Sequence, residues 1–120
     1  MAKQSRGKQQ PSVKTRNAIW LSFDLGIQGD YESLFTWLDS NMALECGDNL
    51  AFLNYEHKGN LLKDLKADLA NSVKIDKRSR IYVIYLDPNK KMKGKFLYGK
   101  RKSPSWAGYG PEGGDEEDNA

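Results

Sequence analysis

The chain of 120 residues carries 19 Lys and Arg against 16 Asp and Glu, a formal net charge of +3, with a single cysteine. That length sets one domain, and one cysteine excludes an internal disulfide and fits a reducing compartment. No apolar run approaches the roughly 18 residues of a membrane span, and the basic N-terminus lacks the apolar stretch of a secretory signal. A cytoplasmic protein without membrane contact is expected.

Residues 1–17 contain Lys3, Arg6, Lys8, Lys14 and Arg16, no acid, and only Met1, Ala2 and Val13 as apolar residues. Such a segment buries too little apolar surface to offset its ordering entropy, so a disordered basic tail is expected. The first element follows. Ile19, Leu21, Phe23 and Leu25 alternate with Trp20, Ser22 and Asp24. Period-two alternation predicts a strand over 19–25 with one buried face, its other face ending in the Asp24 carboxylate. Gly26-Ile27-Gln28-Gly29 reads as a turn, and Asp30 as the N-cap of a helix near 31–39. Tyr31, Leu34, Phe35 and Leu38 supply its apolar stripe.

Leu50 to Tyr55 is a second strand, whose start could reach back to near Ala43, with Cys46-Gly47-Asp48-Asn49 as a turn or bulge. Asn60 caps a second helix whose stripe is Leu61, Leu62, Leu65, Leu69 and Val73. Residues 80–86, Arg-Ile-Tyr-Val-Ile-Tyr-Leu, form the clearest strand by composition, apolar on both faces and therefore expected to be central. Asp87-Pro88-Asn89 is a turn, and Lys95 to Tyr98 is a fourth strand. Residues 111–120 carry five acids and no base, an acidic tail expected to be disordered. The domain then spans residues 18–110. Two helices must cover one face of a small sheet to bury their stripes. The fold class expected is α+β: a ferredoxin-like sandwich, with a four-stranded, mainly antiparallel sheet and both helices on one face.

Charge points to a partner. With the five acids of the tail set aside, residues 1–110 hold 19 bases against 11 acids, a net +8. A basic body suggests a polyanion, DNA or RNA; the plainer alternative is solubilising surface charge. The acidic tail suits a protein partner. Lys90, Lys91, Lys93, Lys95, Lys100, Arg101 and Lys102 place seven bases in thirteen residues, with Phe96, Tyr98, Trp106 and Tyr109 in or just after them. Bases with interleaved aromatics suit phosphate contact and base stacking. Equally, lysines blunt an edge strand against aggregation, and Tyr98 and Trp106 pack on a core or across a dimer.

Ser22-Phe23-Asp24-Leu25, the strand at Leu50 to Tyr55, the helix at Leu61 to Val73 and Ile75-Asp76 ahead of the strand from Arg80 resemble the small CRISPR-associated adaptation protein that partners the spacer integrase. They also resemble its relatives, the VapD-type toxins and SinR-like proteins; the late Trp106 is similar to the SinR-like C-terminus. The resemblance covers about residues 19–110. It implies a ferredoxin-like fold, a homodimer and nucleic-acid binding. In members that cleave, a metal sits near the strand-one Asp, which makes Asp24 the catalytic, metal-associated carboxylate. The chain departs from that pattern at Gly26 to Asp30, where the family has basic residues.

Asp24 and Asp30 together would suit Mg²⁺ or Mn²⁺, ions that need few protein ligands. The plainer alternative makes Asp30 a helix cap and Asp24 an acceptor for loop amides. Gly26-x-x-Gly29 before a helix is a phosphate cradle only without Asp30's repulsion, so a plain turn is expected. His57, the one histidine, supports no zinc site and reads as a solvated loop residue; Cys46 reads as an ordinary thiol. The function expected is a non-catalytic nucleic-acid-associated protein with no cofactor. The alternatives are a metal-dependent endonuclease of the toxin type and a phage or mobile-element inhibitor that binds protein.

Overall fold

A computed structural model describes residues 14–111. The elements run β1 (Thr15–Asp24), α1 (Tyr31–Ser40), β2 (Leu44–Gly47), β3 (Leu50–His57), α2 (Leu61–Ser72), β4 (Arg80–Leu86) and β5 (Met92–Tyr98). The fold is α+β, with two helices and an open five-stranded sheet in the order β2-β3-β1-β4-β5, every neighbouring pair antiparallel. Thus β1 and β2 run parallel with β3 between them, and β3 and β4 run parallel with β1 between them. Each parallel pair is joined through one helix.

The sheet has five strands where four were expected. Leu44–Gly47 pairs with β3 as a short edge strand, with a bulge between Glu45 and Gly47. Four residues, three of them exposed, are too short and too polar for alternation to reveal. Chain outside 14–111 includes most of both expected tails, which therefore lie outside the described residues. Residues 15–17, assigned above to the basic tail, are instead the first three of β1, paired with Tyr55, Glu56 and His57.

The two faces of the sheet differ. Ile19, Leu21 and Phe23 of β1, Ala51, Leu53 and Tyr55 of β3, and Ile81 and Val83 of β4 are buried under the helices. Leu34, Trp37 and Leu38 of α1 and Leu65 and Leu69 of α2 pack on them as one core. Asp30 caps α1 by accepting from the Ser33 N–H (3.2 Å), and Asn60 caps α2 by accepting from the Lys63 N–H (3.1 Å). α1 is rotated from its expected stripe: Trp37 is buried and Phe35 is half exposed. The reason is polar. The Trp37 indole N–H donates to Asp68 Oδ2 (3.1 Å) and the Tyr55 hydroxyl donates to the same oxygen (2.8 Å). Burying an indole requires a partner for its N–H, and α2 supplies one. Among the described residues no helix is long and apolar enough to cross a membrane.

Candidate nucleic-acid interface on the open sheet face

The face of the sheet away from the helices carries the even-numbered residues of β1, β3 and β4. Trp20 lies directly opposite Phe52 on β3 and Ile84 on β4. One row along the strands, Ser22 lies between Leu50 and Tyr82, and Tyr82 lies opposite Phe96 on β5. Four aromatic rings therefore share this face in two pairs. Trp20 and Phe52 have ring centres 5.0 Å apart, and Tyr82 and Phe96 meet edge to face at 4.7 Å. All four are half-buried, with no helix above them.

Arginines cover the second pair. The Arg101 guanidinium sits 5.6 Å from the centre of Tyr82 and 5.4 Å from that of Phe96, and Arg80 sits 5.8 Å from Phe96. Gly94 makes this arrangement fit. It stands on β5 opposite Ile84, and a Cβ there would overlap the Tyr82 phenol. The missing side chain lets the tyrosine ring lie across the neighbouring strand.

Beyond the rings the face opens into a groove of about 680 Å³ bounded by Ser22, Asp24, Arg80, Arg101, Lys102 and Trp106. An adjoining groove of about 570 Å³ adds Lys77, Arg78 and Lys100 to the same wall. This end of the sheet is strongly basic. Asp24 is the one acid lining either groove.

The expected site residues divide accordingly. Asp24, Arg101, Lys102 and Trp106 come together in the first groove, and Lys100 in its neighbour. Lys93 and Lys95 stand opposite Tyr85 and Val83, so they share the helix side of the sheet; Lys93 pairs with Asp87 at 3.7 Å. Lys90 and Lys91 form the turn at the far end of that hairpin, where the Asp87 carboxylate accepts from the Lys91 N–H. Tyr98 also leaves the open face. A bulge between Ile81 and Tyr82 gives β5 one extra residue, and the Tyr98 hydroxyl donates to the Lys66 carbonyl on α2 (2.7 Å). Trp20, Phe52 and Tyr82 were not among the expected binding residues.

Asp30 is occupied elsewhere. Its second oxygen accepts from the Lys74 N–H (2.9 Å), tying α1 to the chain after α2. The Lys74 amide first, and then the Ser33 side chain, hold its carboxyl below the usual range. It lines neither groove, so the geometry does not bring it to Asp24 as a metal ligand. Among the described residues no three His, Cys, Asp or Glu side chains cluster as a metal site. The Gly26 to Gly29 segment is a turn, with the Gly29 N–H donating to the Gly26 carbonyl (3.2 Å) and φ of 82° at Gly26. His57 differs from its expectation as a solvated residue. It is buried at the end of β3, Nδ1 accepting from the Gly59 N–H (3.1 Å) and Nε2 bonded to Asn17 Oδ1. Both ring nitrogens are thus taken up by contacts that tie the end of β3 to β1 and to the loop that follows, with the Asp64 carboxylate 3.9 Å from Nδ1. Cys46 is exposed on the edge strand.

Compared with known proteins, the chain matches no family model, no curated protein and no solved structure.

Proposed function

We propose that this chain binds single-stranded nucleic acid on its open sheet face, without catalysis of its own. The observation that carries the reading is the pairing of four half-buried aromatic rings, two of them under arginine guanidiniums, with a basic groove at the end of the same face. Rings exposed on a sheet offer flat platforms on which unpaired bases stack, whatever their sequence. Arg80, Arg101, Lys100 and Lys102 then take the phosphates, arginine through its planar fork. A duplex hides its base faces, so single strands are preferred. The hairpin lysines Lys90, Lys91, Lys93 and Lys95 act as a secondary electrostatic field rather than as the stacking site. The fold is read as ferredoxin-like with β5 added at one edge, supported by the two interlocked strand–helix–strand units around β1. That is the fold implied by the resemblance to the CRISPR-associated adaptation protein and its relatives.

The test is fluorescence anisotropy with labelled single-stranded DNA and RNA heptamers at low salt. Wild type should bind them more tightly than a duplex of the same length. Trp20→Ala and Phe52→Ala should each weaken binding about tenfold or more, since a base–aromatic stack is worth roughly 1–3 kcal/mol. Absence of binding to any oligomer at low salt refutes the proposal.

A further inference from the structure

A carboxylate in a phosphate-binding groove opposes the charge it is meant to attract, so its presence calls for another contact. Asp24 is exposed and projects from the end of β1. One oxygen, Oδ1, accepts from the Gly26 N–H (3.0 Å), which fixes the orientation of the carboxylate. No second hydrogen bond and no ion pair to Asp24 is present among the described residues. Its cross-strand neighbour Arg80 is the obvious ion-pair partner, yet that guanidinium donates to the Lys100 carbonyl (3.2 Å) and lies over Phe96. The carboxylate edge therefore stands open, held in place, beside the rings on which bases would stack.

We infer that Asp24 reads the Watson–Crick edge of a guanine in the bound strand; this rests on the single-strand reading above. The chemistry selects the base. A carboxylate only accepts hydrogen bonds. Guanine alone presents two adjacent donors on that edge, N1–H and the 2-amino group, which match the two carboxylate oxygens. Cytosine and adenine each place a ring-nitrogen acceptor beside their amino donor, and uracil or thymine flanks its one N–H with two carbonyls. In each of those cases an acceptor faces a carboxylate oxygen and repels it. Guanine thus relieves the charge conflict in the groove, and the other bases leave it standing. The surrounding bases, Arg101 and Lys102 among them, hold the strand's phosphates while Asp24 supplies the discrimination, the usual division between positioning and specifying contacts.

The experiment compares heptamers of thymidine or uridine with the same heptamers carrying one central guanine, or one central inosine, which keeps N1–H but lacks the 2-amino group. Wild type should prefer the guanine heptamer about tenfold, the discrimination of one bidentate pair, with inosine between the two. Asp24→Asn keeps an oxygen for the Gly26 N–H and so preserves the turn. It should bind guanine and guanine-free heptamers equally, and the guanine-free heptamer no more weakly than wild type does. Far-UV circular dichroism checks that the variant is folded, and the inosine series tests the wild-type chain directly. A wild type that binds without preferring guanine, or an Asp24→Asn variant that keeps the preference, overturns this inference and leaves the single-strand reading intact. A wild type that binds no heptamer overturns both.

Discussion

Replacing Gly94 by alanine separates the role of the open face from the stability of the fold. The added methyl would overlap the Tyr82 phenol, which must then leave its place across β5. The far end of the tyrosine moves, not the backbone, so the sheet survives. Alanine in a strand interior gains roughly 0.5–1 kcal/mol over glycine. Loss of the Tyr82–Phe96 edge contact costs about 0.5–1.5 kcal/mol. The two nearly cancel, and the midpoint of urea unfolding should move little, with the slope unchanged. Binding behaves differently. Removing one stacking ring costs about 1–3 kcal/mol per base, or about 5- to 150-fold in Kd. Tyr82→Ala should weaken binding by a similar factor, and the double variant should lose little more, because both changes remove the same platform. Tyr98→Phe is the control: it deletes the hydroxyl bonded to Lys66 on the helix side, costing about 1 kcal/mol of stability and no affinity. If Gly94→Ala binds like wild type while Tyr82→Ala does not, the ring is not held by Gly94. If neither changes binding, the open face is not the binding surface.

Salt and pH supply further checks. Arg101→Ala and Lys102→Ala should each lower the slope of log K against log salt by about 0.7 for single strands, whereas Lys93→Ala, already paired with Asp87, should change it less; equal slopes for all three would refute the division of the basic residues. Burial first, and then the Asp68 carboxylate, raises the Tyr55 phenol above its ordinary value. The unfolded chain therefore releases that proton first, near pH 10, and folding stability should fall as pH climbs above it. Tyr55→Phe should remove that part of the decline in urea midpoints measured between pH 9 and about 11; an unchanged decline would show that other groups cause it. Asp30 carries the opposite sign: its stabilisation is present above the unfolded carboxyl value of about 3.9 and is lost as pH falls through the lower folded value, so Asp30→Ala should flatten the acid limb.

The elements were legible where one face was buried and the other polar or exposed. Ile19, Leu21 and Phe23 alternate as required and lie in the core, and the caps at Asp30 and Asn60 stand where the residue types place them. Periodicity failed where a polar contact chose between two apolar residues. Phe35 and Trp37 both suit the stripe of α1, and only the position of Asp68 on α2 decides that Trp37 is buried. Extended chain from about Ala43 is legible only as an early start of the strand at Leu50; that Leu44–Gly47 is a separate edge strand escaped because its stability comes from pairing with β3, not from its own pattern.

The proposed binding surface was half legible, and the reason is the meaning of an apolar residue in a strand. Residues 80–86 are apolar on both faces, which reads as a central strand, and β4 does lie inside the sheet between β1 and β5. In the structure β4 is covered on one side only, and Tyr82 and Ile84 lie on the open one. Trp20 gave the same signal at the start of the chain, a large ring at the outward position of an alternating strand. Its meaning depends on Phe52, which register alone brings opposite it. The bulge at Leu97 has the converse effect. One extra residue between Phe96 and Tyr98 sends two neighbouring aromatics to opposite sides of the sheet, one under Arg101 and one onto α2. A count of bases and rings along residues 90–106 treats them alike. The fold divides them by face, and that division turns a basic segment into an oriented surface with rings at its centre, basic side chains at one end and a single carboxylate among them.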